Sequence, residues 1–174
     1  MEIERKFLID KLPDDIEKYP FHLIEQAYLC TNPVVRVRRE DDDFILTYKG
    51  SGLMQREEAN LSLTSEGYYH LLTKADGNVI SKKRYLIPLE HPQVIEGTPK
   101  PPDEYSLLIE LDVFDKPFAP LMIAEVEFGS IEAAQNFLPP EWFGRDVTYE
   151  PKYHNSHMAM TDEFKFDDTE EENQ

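Results

Sequence analysis

The chain opens with Met1-Glu2-Ile3-Glu4-Arg5-Lys6-Phe7-Leu8-Ile9, a stretch with the two-residue period of a β-strand. Because strand side chains alternate between the two faces of a sheet, Glu2, Glu4 and Lys6 share one face. The other face is apolar, with Arg5 as its single exception. Two carboxylates and one ammonium in this spacing suit a small polar site, although the solvated face of an antiparallel sheet has the same pattern.

The same alternation of charged and apolar residues recurs along most of the chain and predicts about eight strands. The predicted strands are 1–9, 23–29, 34–40, 44–49, 56–63, 79–89, 105–114 and 122–128. Helical signals are weaker and fall at 14–19, from Thr64 to about Ala75, at 131–137 and at 153–160. A turn is predicted at 76–78, and Pro88 is expected to weaken the end of its strand.

Composition narrows the class of protein. The 174 residues fit one domain with a core of its own, which we predict over 1–160, followed by an acidic, disordered tail over 161–174. The net charge of −17 argues against binding duplex nucleic acid, and no apolar run is long enough to span a membrane. With no signal peptide and only Cys30 as a thiol, a cytoplasmic location is expected. The composition leaves open whether the chain forms a homodimer.

The charges of opposite sign are segregated along the chain. Taken as groups, acids dominate the first strand and the last two, whereas bases dominate four of the five strands between them, 34–40, 44–49, 56–63 and 79–89. In a flat sheet these faces would be solvated, but in a closed barrel they would line a channel, with helices covering the apolar outside. Clustered carboxylates opposite clustered Lys and Arg suit a divalent cation and a polyphosphate between them. Hard oxygen ligands favour Mg²⁺ or Mn²⁺ as that cation.

The charged motifs, taken in order, resemble the CYTH superfamily, also called triphosphate tunnel metalloenzymes. The first strand matches the ExExK signature of that family, and the resemblance covers about residues 1–160. The later landmarks are Arg36-Val37-Arg38, Thr47-Tyr48-Lys49, Arg56-Glu57-Glu58, Lys82-Lys83-Arg84-Tyr85, Glu110-Leu111-Asp112-Val113-Phe114, Glu125-Val126-Glu127-Phe128 and Asp146-Val147-Thr148. The resemblance implies an α+β fold: an eight-stranded antiparallel β-barrel forms a triphosphate tunnel, helices pack outside it, and a C-terminal helix plugs one mouth.

The resemblance also implies a role for individual residues. The implied metal ligands for Mg²⁺ or Mn²⁺ are Glu2, Glu4 and Glu127, with Glu125, Glu110 and Asp112 close by. The implied phosphate-binding residues are Lys6, Arg36, Arg38, Lys49, Arg56, Lys82 and Arg84. Glu58 resembles a carboxylate that orders water, and Tyr28 matches a tyrosine that works with the lysine at Lys82. Asn60 departs from relatives that carry a second glutamate there. We expect His154 and His157 to be surface or plug residues.

The activity that the resemblance implies is metal-dependent hydrolysis of a linear triphosphate. Inorganic tripolyphosphate is the favoured substrate, because close relatives that begin with the same six residues are mostly of that type. Three alternatives remain: an adenylyl cyclase that converts ATP to cyclic AMP, a nucleoside or thiamine triphosphatase, and a polyphosphate-binding module without turnover. A purely structural network of tunnel charges would be costly to bury, which argues against it.

Overall fold

An antiparallel sheet of eight strands dominates the computed structural model, which describes residues 3–50 and 57–167. The strands are β1 (Glu4–Leu8), β2 (Phe21–Thr31), β3 (Val34–Glu40), β4 (Asp43–Lys49), β5 (Glu58–Ser62), β6 (Asp76–Glu90), β7 (Ser106–Phe114) and β8 (Met122–Glu127). Their order in the sheet is β1-β8-β7-β6-β2-β3-β4-β5, and every neighbouring pair is antiparallel. The predicted antiparallel arrangement of about eight strands is thus confirmed.

Three short α-helices accompany the sheet: α1 (Ser65–Leu72), α2 (Ile131–Asn136) and α3 (Asn155–Met160). Single 3₁₀ turns occur at Ile16–Lys18 and Pro151–Tyr153. The predicted helix starts are confirmed by their caps, since Thr64 accepts a hydrogen bond from the Gly67 amide at 3.0 Å and Ser130 accepts one from the Ala133 amide at 3.1 Å. None of the helices in the described ranges is long and apolar enough to cross a bilayer.

β6 is the strand that departs most from the sequence prediction. It begins at Asp76, within the predicted turn, and its second residue, Gly77, has a φ of 70°. A Cβ atom on Gly77 would lie 2.0 Å from the carbonyl oxygen of Ala159, so β6 and α3 can approach this closely only with glycine here. Pro88 does not end the strand, because β6 stays paired with β7 as far as Glu90.

The tolerance of Pro88 follows from the geometry of the ladder. The amide of Leu86 donates to the carbonyl of Pro20, on the side of β6 where β2 lies. The nitrogen of Pro88, two residues on, faces the same side, beyond the point where the pairing with β2 ends at Tyr85. No ladder hydrogen bond is therefore lost through its missing donor.

The apolar faces of the strands pack against the helices. Phe7, Leu111 and Val126 belong to a buried cluster that includes residues at and beside α2, while Tyr68 of α1 covers a second cluster and Met158 of α3 lies in a third. The charged residues at alternate positions are thereby left on the opposite face, as the two-residue period predicts.

Arg5, the exception on the apolar face of β1, has specific partners there. Its guanidinium donates to the carbonyl oxygens of Ala134 at 2.9 Å and Phe137 at 3.0 Å, at the end of α2. It also pairs with Asp146 at 2.7 Å and lies over the ring of Phe7. Arg5 thus satisfies the free carbonyls at a helix end and holds α2 against β1.

The segment after α3 folds back on the protein through residue 167. The ring of Phe164 packs against Phe118 and Tyr153. Asp167 accepts hydrogen bonds from Lys152 at 2.7 Å and from the Tyr153 hydroxyl at 2.6 Å, and it also pairs with Arg145. We call this group of Asp167 and its three partners the C-terminal clasp. The remainder of the predicted tail, 168–174, lies outside the described residues.

Candidate active site

A cavity of about 780 Å³ lies against the charged face of the sheet. Its polar lining includes Glu4, Lys6, Tyr28, Arg36, Arg38, Thr47, Lys49, Glu58, Asn60, Arg84, Glu110, Glu125 and Glu127. Every strand contributes to this set, including β1 and β5, which stand at the two ends of the strand order. The sheet is therefore curved so strongly that both of its edges face the same space.

The residues that the sequence singles out fall into three groups. Most of them line the cavity, as the set above shows. Lys82 and Asp112 instead lie beneath its surface with fully buried side chains, and Lys82 Nζ donates to Asp112 Oδ2 over 2.5 Å. Glu2 and Arg56 lie outside the described residues.

Three cations of the site are matched by buried or half-buried carboxylates, in a group that we call the compensated cluster. Its members are Lys6, Lys82, Arg84, Glu110, Asp112 and Glu125. Lys6 Nζ donates to Glu125 over 2.8 Å, and Arg84 donates to Asp112 through Nε at 2.6 Å and Nη2 at 2.7 Å. Arg84 also bonds to Glu110, and to Glu125 at 3.0 Å.

The register of the strands produces these pairs. Lys6 is directly opposite Glu125, and Arg84 is directly opposite Asp112. Burial alone would lower the pKa of Lys6, but the carboxylates of Glu125 and Glu4 raise it well above its ordinary value. Burial would likewise raise the pKa of Glu125, but Lys6 and Arg84 hold it far below its ordinary value. Both groups are therefore charged at neutral pH.

Lys82 is the cation of the cluster whose pKa lies nearest to neutral pH. Complete burial lowers its pKa to about 8, and the positive charges of Arg84 and Arg38 act in the same direction. The carboxylate of Asp112 opposes this shift without cancelling it. An ammonium with such a pKa loses its proton a little above physiological pH, whereas an ordinary lysine stays protonated there.

Arg36 and Arg38, both on β3, differ from the compensated cluster because their hydrogen-bond partners are neutral. We call them the arginine pair. Arg36 Nη2 donates to the Thr47 hydroxyl at 3.3 Å, and Arg38 Nε donates to the amide oxygen of Gln26 at 2.9 Å. Of the described carboxylates, only that of Glu40 comes within 4 Å of Arg38, at 3.8 Å.

The arginine pair has the electrostatic signature of an anion site. Burial and the neighbouring charges of Arg36 and Arg84 lower the pKa of Arg38 to about 10, since the added positive charge is unfavourable there. The Nε atom of Arg36 is buried and has no hydrogen-bond partner in the part of the chain that the structure describes. An anion in the cavity would relieve both conditions.

Glu58 and Asn60 on β5 are linked to the arginine pair through Thr47. The Thr47 hydroxyl donates to Asn60 Oδ1 at 2.7 Å, and Asn60 Nδ2 donates to Glu58 Oε1 at 3.2 Å. Lys49 Nζ lies 3.5 Å from the other oxygen of Glu58. Burial would raise the pKa of Glu58, but Asn60 and Lys49 lower it below its ordinary value, so this carboxylate is ionised at neutral pH.

Glu4 and Glu127 form a pair of carboxylates suited to a hard divalent cation. They are directly opposite each other in the register of β1 and β8, and both line the cavity. Glu4 lies 3.1 Å from Lys6, whereas Glu127 makes no hydrogen bond or ion pair with any described residue. Within the described ranges, His, Cys, Asp and Glu form no group of three or more that could hold a metal by itself. Mg²⁺ is commonly bound by one or two carboxylates, with water and phosphate oxygens completing its shell, and this pair fits that chemistry.

One residue behind the cavity wall, Gln26, was not predicted from the sequence, and the contribution of the start of α3 was implied only by the family resemblance. Gln26 lies behind Arg38, and its only sequence signal is its position two residues before Tyr28 on the same strand. His154, Asn155 and Ser156, at the start of α3, line the cavity from a segment without a two-residue period. Tertiary packing against β6 and β2 brings this segment to the cavity, and no local pattern indicates that packing.

Comparisons with known proteins identify relatives over most of the chain. No protein-family model matches the chain. It is 35% identical over 164 residues to an inorganic triphosphatase of Nitrosomonas europaea, covering 92% of this chain and 97% of that protein. An inorganic triphosphatase of Acetivibrio thermocellus is 28% identical over 161 residues, covering 91% and 92% of the two chains.

The fold has solved counterparts as well. The crystal structure of an inorganic triphosphatase superposes with a TM-score of 0.68 at 32% identity, covering 94% of this chain and 97% of that one. An adenylate cyclase-like protein from Bacillus halodurans has a TM-score of 0.52 at 17% identity, covering 81% of this chain and 94% of that one. The second likeness concerns the fold alone.

Proposed function

The chain belongs to the inorganic triphosphatase family, and from this premise we propose that it cleaves the terminal phosphate from inorganic tripolyphosphate with the help of a divalent cation. The products are pyrophosphate and phosphate. The observation that carries the proposal is the arrangement of the cavity, in which both members of the arginine pair have neutral hydrogen-bond partners and, on the opposite side, Glu127 has no partner among the described residues and lies across from Glu4. A linear polyanion chelated to a small hard cation matches both features.

We infer further that the curved sheet forms a barrel-like tunnel around the substrate. The inference is supported by the lining of one cavity by both edge strands, β1 and β5. Helices α1 and α2 pack on the outer, apolar faces, and the start of α3 acts as a plug at the cavity wall. In this proposal residues 1–160 form the catalytic domain and 161–174 an acidic extension of it.

The phosphate groups are bound chiefly by the arginine pair and Lys49. Arginine offers planar pairs of donors that match phosphate oxygens, whereas lysine supplies a compact point charge. Lys6 and Arg84 also line the cavity, but their charges are shared with carboxylates. They therefore hold the acidic wall in place while contributing less attraction to the substrate. In the same proposal Arg56 adds a further phosphate contact.

Glu4 and Glu127 would hold Mg²⁺ or Mn²⁺ in this proposal, and Glu2, which lies outside the described residues, would complete the set. When bound, the cation neutralises charge on the phosphate oxygens and orients the chain of phosphates. Glu125 and Glu110 lie next to this pair but are engaged by Lys6 and Arg84. Asp112, bonded to Lys82 and Arg84 beneath the cavity, serves in our proposal as a support for those cations.

Glu58 is the proposed group that orients the attacking water. Its carboxylate is ionised, lines the cavity and is held by Asn60, so it can accept a hydrogen bond from water aligned with the terminal phosphorus. Tyr28 lines the same cavity and offers a hydroxyl donor to a phosphate oxygen. Lys82 acts from below, through the electrostatic field of the cluster. Pyrophosphate then leaves as the bond to the terminal phosphorus breaks.

The test is release of phosphate from tripolyphosphate, ATP and pyrophosphate, each with Mg²⁺, with Mn²⁺ and with EDTA. We expect fast release from tripolyphosphate that EDTA abolishes. Conversion of ATP to cyclic AMP and pyrophosphate would replace the proposal with a cyclase. Tight binding of tripolyphosphate without release of phosphate would replace it with a binding module.

A further inference from the structure

We propose that Gln26 is a positioning residue, which orients Arg38 through a neutral hydrogen bond so that the full charge of Arg38 is available to the substrate. This inference rests on the proposed function, because it names the residue that prepares one of the phosphate-binding arginines. Gln26 itself does not touch the substrate.

The position of Gln26 is well defined. Its side chain is completely buried on β2, directly opposite Arg38 on β3. Gln26 Oε1 accepts the hydrogen bond from Arg38 Nε at 2.9 Å. This bond fixes the plane of the guanidinium through its inner nitrogen. The two outer nitrogens make no hydrogen bond within the described ranges, and Arg38 lines the cavity.

A second arginine of the same sheet provides the comparison. Arg84 Nε donates to Asp112 Oδ1 at 2.6 Å, and these two residues are also directly opposite each other on neighbouring strands. The two arginines are thus held by the same nitrogen and from the same cross-strand position. A carboxylate holds Arg84 and cancels its charge, whereas an amide holds Arg38 and leaves its charge in place.

Stability alone does not account for an amide at position 26. Because Oε1 must face the Arg38 donor, the unpaired end of the amide is Nε2, which is buried and has no partner among the described residues. A glutamate would bond to Arg38 more strongly and would leave no unpaired donor. The amide costs stability relative to that alternative, and what it gains is an oriented arginine with an uncancelled charge.

The same choice of partner recurs at the other member of the arginine pair. Arg36 is held by the hydroxyl of Thr47, another neutral oxygen, at 3.3 Å. Two cations next to each other on β3 are therefore both oriented by uncharged acceptors. This repetition indicates that the neutral partner at Arg38 belongs to the construction of an anion site.

The decisive variant is Gln26→Glu, which keeps the shape and the acceptor but cancels the charge of Arg38. We expect KM for tripolyphosphate to rise about tenfold or more, with kcat within about threefold of wild type. We also expect an unchanged or higher unfolding midpoint. The increase of KM with ionic strength should be weaker than in wild type, because one attractive charge has been removed. Gln26→Met, which removes the acceptor without adding charge, should also raise KM, whereas a residue that only filled the core would leave KM unchanged in that variant.

Gln135→Glu is the matched control, because Gln135 is exposed on α2 and does not line the cavity. It adds the same negative charge and should leave KM unchanged. A folded Gln26→Glu protein with a KM within twofold of wild type would overturn the proposal. If Gln26→Glu does not fold, Gln26→Met decides in its place, since it removes the acceptor without adding charge. An unchanged KM in folded Gln26→Met would then overturn the proposal.

Failure of this inference can be separated from failure of the proposed function. Wild-type protein that releases no phosphate from tripolyphosphate contradicts the proposed hydrolysis, whatever the variants do. Calorimetric titration with tripolyphosphate then compares wild type with Gln26→Glu without any turnover. Weaker binding by Gln26→Glu would still support the positioning role, and equal binding would overturn it.

Discussion

The compensated cluster and the arginine pair both contain two basic residues spaced two positions apart on one strand, yet the first is neutralised by carboxylates and the second is not. Lys82 and Arg84 on β6 are two residues apart, as are Arg36 and Arg38 on β3. Across from Arg84 lies the carboxylate of Asp112, whereas Gln26 lies across from Arg38. The difference shows that the partner supplied by the neighbouring strand decides whether a cation stabilises the sheet or attracts a ligand.

The strand order explains how this division arises. β6 is followed in the sheet by β7, β8 and β1, which carry inward carboxylates at matching positions. β3 lies between β2 and β4, whose residues next to the arginine pair include Gln26, Tyr28, Ile45 and Thr47. One side of the cavity is therefore internally neutralised, and the other side retains positive charge for a polyanion.

Removal of Asp112 should produce the largest effect, and it would be an effect on stability. Asp112→Ala leaves Lys82 and Arg84 buried without their main carboxylate, and loss of one partner from a buried pair costs about 3–5 kcal/mol. Urea unfolding of this variant measures the loss. Asp103→Ala, at an exposed loop residue, is the control and should be neutral. A decrease of less than about 1 kcal/mol in the unfolding free energy of Asp112→Ala would mean that the compensated cluster does not stabilise the fold in this way.

Glu127→Gln should lower turnover of tripolyphosphate by about a hundredfold or more without a comparable loss of stability. Glu127 has no partner within the described ranges, so the amide removes a metal ligand without breaking an ion pair. Glu4→Gln should have the same effect on turnover, together with some loss of the bond to Lys6. The measurement is kcat at saturating Mn²⁺, with Glu132→Gln on the exposed face of α2 as the control. Full activity of Glu127→Gln would contradict the metal assignment.

Arg38→Ala tests the opposite side of the comparison. A charged hydrogen bond to phosphate contributes about 1.5–3 kcal/mol, so KM for tripolyphosphate should rise between about tenfold and a hundredfold. Some stability should be lost as well, because the buried Gln26 Oε1 loses its hydrogen-bond donor, and thermal unfolding of the variant measures that loss. The neighbouring Arg39 bonds to Asp41 and Tyr69 on the other face, and Arg39→Ala should leave KM unaltered. Equal values of KM for the two variants would contradict the claim that only the cavity face of β3 binds the substrate.

The sequence was sufficient to predict the faces of the sheet but not the pairing across it. Positions two residues apart identify which charges share a face, and this holds for Arg36 and Arg38 as for Lys82 and Arg84. Which acid meets which base depends on register between distant segments, as for Lys6 and Glu125, which are 119 residues apart.

Local pattern also cannot distinguish a cavity residue from a buried one. Glu110 and Asp112 are two residues apart on β7 and share one face of the sheet, yet Glu110 lines the cavity and Asp112 is completely buried. The shorter side chain of Asp112 lies between Lys82 and Arg84, a placement that only the packed sheet determines. Gln26 carries no charge, so a search for charged positions could not select it.

The C-terminal clasp extends the comparison to an exposed network, where we expect the smallest effect. Hydrogen bonds from Lys152 and Tyr153 lower the pKa of Asp167 to about 2, from an ordinary value of 3.8. The folded state therefore binds this proton less readily than the unfolded chain, so the contribution to stability is complete above pH 4 and is lost as pH falls from 4 to 2. Because the Asp167 side chain is 48% exposed, solvent screening limits that contribution to less than about 1 kcal/mol.

The variant Asp167→Asn should then be slightly less stable than wild type at pH 5–7, and the two unfolding free energies should converge near pH 2. Asp162→Asn, five residues earlier at an exposed position, should follow wild type throughout. A difference that persisted unchanged at pH 2 would assign the effect of Asp167 to packing of the segment instead of its charge. If the two curves converge, the stability lost at Asp167 is less than about 1 kcal/mol, compared with about 3–5 kcal/mol expected at Asp112. That difference would show that burial, more than the number of ion pairs, determines what a charge cluster contributes to this fold.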